Sequence, residues 1–217
     1  MPVRAFDGAV ELHGHEVRAA VGDRGRGRKR RSPNAGDMSA YPDDRDVLTF
    51  LEWERRQPER HEFSVGRTLA FAGGTLGHSA LAAGLIARIQ PHVRPCRTHA
   101  SDALIVTKRS ARYADVLVTC DERDAAGEQT VRYPKLIIEV LSESTAAIDR
   151  GDKFDEYTTI DSLEEYVLID SARRWARSYR RNGTAWTTTL PFTSGSIDLP
   201  SIELAVSLDE LYEEAGL

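Results

Sequence analysis

Asp115-Val116-Leu117-Val118-Thr119-Cys120 and Lys135-Leu136-Ile137-Ile138-Glu139-Val140-Leu141 are the two stretches on which the reading of this chain turns. Each is dense in β-branched and apolar side chains and bounded by turn residues, the pattern of a largely buried strand. Each also carries one carboxylate where an unpaired ionised group costs several kcal/mol or shifts its pKa until neutral. Two such carboxylates brought together repel each other unless a cation lies between them. Their hard oxygens, with no Cys/His cluster nearby, suit Mg²⁺ or Mn²⁺ better than zinc.

A third ionisable residue follows. Ser144-Thr145-Ala146-Ala147-Ile148-Asp149-Arg150-Gly151-Asp152-Lys153-Phe154-Asp155-Glu156-Tyr157 reads as a turn leading into a helix whose Phe154 and Tyr157 face the sheet. Lys153 lies beside them, near the strand end that carries Glu139. An ammonium group there positions an attacking water or offsets charge building on phosphate oxygens. Each residue alone has a plainer reading: Asp115 as a strand-initial turn cap, Glu139 as a structural salt bridge to Lys135 or Lys153, Lys153 as a solvated helix residue. The ordered set favours the chemical reading.

Working outward, the pattern predicts a helix over 46–57 and strands near 62–65 and 67–71. A helix opened by His78 follows, with Leu81, Leu85, Ile86 and Ile89 on one face. Strands are expected near 103–107, 113–120 and 136–141. After the Lys153 helix come strands near 165–169, 175–181 and 185–190, the last two joined at Asn182-Gly183, a tight hairpin signal. A strand near 197–199 and a helix near 208–214 close the chain. The fold class is therefore α/β. His78 reads first as a capping or packing residue, Tyr157 as core and Asp170 as a turn residue.

At these residues the chain resembles the Uma2-like (DUF820) proteins, an endonuclease family of the PD-(D/E)XK restriction-endonuclease superfamily. The resemblance runs from about Val47 to about Thr188. It rests on an ordered set: Trp53-Glu54, Pro58-Glu59-Arg60-His61-Glu62-Phe63, Phe71-Ala72-Gly73-Gly74 with His78-Ser79, Arg112-Tyr113-Ala114-Asp115-Val116, Glu139-Val140-Leu141-Ser142, Asp149-Arg150-Gly151-Asp152-Lys153 and Glu165-Tyr166-Val167-Leu168-Ile169-Asp170. It implies a restriction-endonuclease-like core, a mixed β-sheet flanked by helices, with DNA as partner and a Mg²⁺ or Mn²⁺ ion held by Asp115, Glu139 and the carbonyl of Val140. Lys153 is implied as the catalytic lysine and Glu62 as a further acid behind the ligands; His78, from its place at the start of its helix, is a second candidate to approach the site. The superfamily's usual lysine position, two after the glutamate, is Leu141 here; a lysine moved to the next helix answers this, and Lys135 is a weaker substitute. The chain also has Ala114-Asp115 where the family shows Pro-Asp, and Gly66-Arg67 where it shows Gly-Glu. The alternative is a non-catalytic nucleic-acid-binding or regulatory module on the same fold.

A chain of 217 residues with 41% hydrophobic content suits one α/β domain. No apolar stretch approaches the roughly 20 residues of a spanning helix, and the N-terminus lacks a signal-peptide apolar core. Cys96 and Cys120 show no metal or disulfide framework and are expected as reduced thiols of a cytoplasmic protein.

The first 37 residues differ in composition, with six basic residues among the eight from Arg24 to Arg31 and no periodic apolar face. Disorder is the expectation. They read either as a phosphate-gripping arm or as sequence upstream of a true start at Met38, which leaves 38–217 as the domain. They hold eight Lys/Arg and five Asp/Glu, a net +3, so the whole chain's −5 less this +3 leaves −8 for the remainder. Such a domain has no broad field for nucleic acid. DNA binding then needs a local cleft, metal ions, or a homodimer that gathers Lys108, Arg109 and Arg112, the candidate phosphate contacts.

Overall fold

A computed structural model describes residues 46–71, 73–124, 129–142 and 151–217. The basic segment 1–37, Met38, and the turn from Ser144 to Arg150 lie outside the described residues.

Helix α1 (Val47–Glu54) begins at Asp46, whose carboxylate accepts the Thr49 N–H at 3.0 Å and so caps an otherwise orphaned donor. It packs on a five-stranded sheet of β1 (His61–Ser64), β2 (Arg67–Ala70), β4 (Leu104–Val106), β5 (Ser110–Tyr113) and β7 (Thr130–Val131), ordered β2-β1-β5-β4-β7. Phe50 of α1 stacks on Phe63 of β1 with ring centroids 5.3 Å apart. Ala111 and Tyr113 face α1 within this core. Arg112 lies between them and by strand alternation points the other way, on the side where its cross-strand partner Ile105 joins a second core containing Tyr157.

The second sheet has six strands in the order β11-β10-β9-β8-β6-β3: β3 (Arg97–Ala100), β6 (Val116–Thr119), β8 (Pro134–Leu141), β9 (Glu165–Asp170), β10 (Ala176–Asn182) and β11 (Ala185–Thr188). It is mixed, because β8 and β9 run parallel while its other neighbours are antiparallel. One face, with Val116, Val118, Ile138, Val140, Val167 and Ile169, is covered by α2 (Leu76–His92) through Leu81, Leu85 and Ile89. The pair β12 (Ser196–Leu199) and β13 (Leu204–Ser207), with α4 (Leu208–Glu214), seals the rest of that face. The opposite face, with Leu117, Ile137, Tyr166 and Leu168, meets α3 (Asp152–Tyr157). Full burial of each such aliphatic residue stabilises the fold by about 1.5–3 kcal/mol. Among the described residues no helix is long and apolar enough to cross a membrane.

The expected α/β class and mixed sheet match this architecture. The Asn182-Gly183 hairpin forms as read, with Asn182 opposite Ala185 and Gly183 at φ +62°. Other expectations are corrected. The single strand expected over 113–120 is two strands in different sheets, with Ala114-Asp115 at the passage between them; both halves are buried, and the polar residue at the join, Asp115, reads from sequence as part of the strand. The edge strand β3 and strand β13 were not anticipated. The cysteines are not reduced thiols: Cys96 and Cys120 form a disulfide across 24 residues. Antiparallel pairing of Arg97 with Thr119 brings the flanking residues together, a proximity with no local signature.

Candidate active site

Strand register builds the site. Val116 of β6 pairs with Ile138 of β8, so the next step outward sets Asp115 beside Glu139. Asp115 Oδ2 accepts the Val140 backbone N–H at 2.7 Å, and its Oδ1 lies 3.2 Å from His78 Nε2. Glu139 is the polar member of the α3-facing set that includes Ile137 and Leu141, and only 1% of it is exposed. Its Oε1 accepts from Lys153 Nζ and from the Tyr157 hydroxyl, each at 3.1 Å. These charge-assisted bonds offset the desolvation of a buried carboxylate. Asp115, Glu139, Val140, His78 and Lys153 line one cavity of about 430 Å³.

Lys153 enters from α3, and its amine also donates to the Tyr113 carbonyl at 3.3 Å and lies 4.0 Å from Glu62 Oε1. Lys135, the weaker substitute, instead pairs with Glu164 at the surface, 2.6 Å away. Leu141, at the usual lysine position, is buried in the apolar core. Burial, and then the charge of Glu139, push the Tyr157 phenol well above its ordinary pKa, which keeps it a donor.

Behind the lysine lies a buried ionic network. Glu62 accepts the Tyr113 N–H at 3.0 Å and pairs with Arg112 Nη1 at 3.1 Å. Arg112 also grips Glu156 of α3 with two N–H groups, each at 2.9 Å. Burial opposes its charge, but the hydrogen bonds and charge of Glu156, with the charge of Glu62, outweigh this and raise its pKa. Burial, then Glu54, push the Tyr113 phenol up to about 12; its hydroxyl donates to Glu54.

The predicted residues thus fall into two groups. Asp115, Glu139, Val140, Lys153, His78 and Glu62 come together, with His78 turned onto Asp115 although it was read first as a cap or packing residue. The actual cap of α2 is Thr75, whose side chain accepts the His78 N–H at 3.2 Å. Lys108 and Arg109 are exposed on the rim of a larger cavity of about 1190 Å³, beside Arg67 and Arg132. Arg112 lines that cavity too, but its guanidinium is buried among carboxylates. Reasoning from the sequence missed the Glu156 clamp and the Tyr157 donor; the spacing of Lys153, Glu156 and Tyr157 on one short helix was the available signal.

The donor chemistry fits a hard divalent cation: the carboxylates of Asp115 and Glu139 line one cavity. Among the described residues no group of three or more His, Cys, Asp or Glu is gathered as a ready-made cage. Mg²⁺ commonly takes one or two protein carboxylates and completes its octahedron with water and substrate oxygens.

Fold and site together define an α/β protein with a carboxylate–lysine cluster where two sheets meet at the base of a short helix. The chain belongs to the Uma2 family, described as "Putative restriction endonuclease", whose profile matches residues 47–209. The uncharacterized protein slr1290 of Synechocystis sp. is 34% identical over 186 residues, covering 83% of this chain and 95% of the relative. A second Synechocystis protein, uncharacterized sll1609, is 32% identical over 140 residues, covering 62% and 79%. Among solved structures, "a putative nuclease belonging to DUF820" from Anabaena variabilis shares the fold with a TM-score of 0.66 at 18% identity, covering 79% of this chain and 99% of that one.

Proposed function

We propose that the chain is a divalent-cation-dependent endonuclease that hydrolyses phosphodiester bonds in DNA. One observation carries the reading: Asp115, Glu139 and Lys153, from three separate segments, line one cavity, with the lysine amine on the glutamate. Membership of a family described as "Putative restriction endonuclease" supports it. Asp115, Glu139 and the Val140 carbonyl would hold Mg²⁺ or Mn²⁺, which when bound polarises a phosphoryl oxygen and acidifies a coordinated water. Lys153 donates hydrogen bonds toward the phosphate oxygens as negative charge grows on them. Tyr157 and the Tyr113 carbonyl hold the lysine and glutamate in place, and His78 orients Asp115. Lys108 and Arg109 would contact flanking phosphates.

The test is cleavage of supercoiled plasmid by purified protein with Mg²⁺ or Mn²⁺, beside EDTA, Glu139→Ala and Lys153→Ala controls. Metal-dependent nicking that disappears in both variants is expected. Equal traces from all proteins would reveal contamination, and no cleavage together with no Mn²⁺ binding would leave a binding module as the better account.

A further inference from the structure

We propose that Arg112 is a positioning residue: it clamps Glu156, and through it the helix α3, so that Lys153 meets Glu139. Helix α3 has six residues and its N-cap, Gly151, makes no side-chain capping bond. Helices this short do not hold themselves. Phe154 packs on Tyr179 and Tyr166 and decides which face lies on the sheet, but apolar packing is non-directional and leaves room to slide. The bidentate guanidinium–carboxylate pair supplies the missing direction.

Its geometry joins three elements. Arg112 comes from β5, Glu156 from α3, and Glu62, on the remaining arm of the guanidinium, from β1. Glu156 stands three residues after Lys153, so both project from the same side of the helix. Any shift of Glu156 therefore carries the lysine with it. The other oxygen of Glu62 takes the Tyr113 N–H, and Tyr113 presents its carbonyl to Lys153. With its side chain 1% exposed, Arg112 acts through the lysine rather than on a phosphate. A lysine in its place would keep the charge and lose the fork.

The proposal rests on the nuclease reading only for its kinetic arm. Two variants test it: Arg112→Lys, and Glu156→Gln, which removes charge with little change of shape. Three readouts apply: the Lys153 Cε–Hε cross-peak, assigned by its loss in Lys153→Met; hydrogen exchange of the α3-end amides of Asp155 and Thr158 against those of β9; and plasmid-cleavage kinetics. The expected result is a cross-peak moved toward free lysine, about tenfold faster exchange in α3 with β9 unchanged, and kcat down about tenfold with KM within about twofold. An unmoved cross-peak with unchanged α3 exchange overturns the proposal, as does exchange that accelerates equally in β9, which marks a purely structural role. Should Arg112→Lys fail to fold, Glu156→Gln decides. Should the unaltered chain cleave nothing, the nuclease reading falls and the two spectroscopic arms still decide the clamp.

Discussion

Lys153 Nζ stands 3.1 Å from Glu139 Oε1 although one residue rides on α3 and the other on β8, 14 positions apart. A buried carboxylate is thereby countered by an ammonium group delivered from a different element. The direct consequence is energetic coupling. Lys153→Met is expected to lower stability by about 3 kcal/mol, because it strands a buried charge, and to reduce kcat by about 10²–10³-fold. Glu139→Gln with Lys153→Met should cost less than the two separate losses combined, by about 1–3 kcal/mol. Urea melts of the four proteins measure this; strict additivity would sever the pair.

Asp115 receives the Val140 N–H and faces His78, so its charge is oriented before any ion arrives. Asp115→Asn keeps the shape and removes the charge. Its Mn²⁺ affinity should fall at least about tenfold by calorimetric titration, with a thermal midpoint close to that of the parent.

Gly74 makes the His78 ring position accessible. A Cβ there would lie 2.6 Å from His78 Nδ1, closer than real contacts allow, whereas one on Gly73 meets nothing within 4 Å. Gly74→Ala should turn the ring off Asp115 and move its side-chain nitrogen resonances. Gly73→Ala, the control, should leave them in place.

Alkaline pH should unfold this protein steeply. Burial followed by the charge of Glu139 raises the Tyr157 pKa, and burial followed by Glu54 raises that of Tyr113 to about 12. The native state therefore keeps protons that the unfolded chain releases near pH 10, so this contribution is complete below that pH and is lost as pH rises further. Tyr157→Phe should flatten the decline in a urea-melt series from pH 9 to 12, at a cost near neutrality of about 1 kcal/mol for the lost hydrogen bond.

The Cys96–Cys120 disulfide closes a loop of 24 residues between α2 and the end of β6. On chain-entropy grounds Cys120→Ser should cost about 3 kcal/mol. A denaturant melt, beside mass measurement of alkylation with and without reductant, checks both the bond and its worth.

Much of the fold was legible because its signals are local. The strands 165–170 and 134–141 announce themselves by dense apolar runs, α4 by its spacing, and the β10–β11 turn by Asn182-Gly183. The division of 113–120 into two strands was not legible, because both strands are buried and Ala114-Asp115 between them contains neither Gly nor Pro to mark a break. Arg112 looked like a surface cation for the same reason that Cys96 and Cys120 looked like free thiols: a side chain's partner across 24 or 44 residues leaves no trace beside it.

By itself the sequence determined which charges need an answer, since a carboxylate inside an apolar strand is costly wherever the strand lies and must be met by a cation or hydrogen-bond donors. Only the tertiary structure decided which cation answers. Strand register set Asp115 beside Glu139, the packing of α3 brought Lys153 rather than Lys135 to that glutamate, and the crossing of β5 turned Arg112 inward onto Glu62 and Glu156. Those pairings depend on distances between elements, which the energetics of a buried charge demand but no linear spacing encodes.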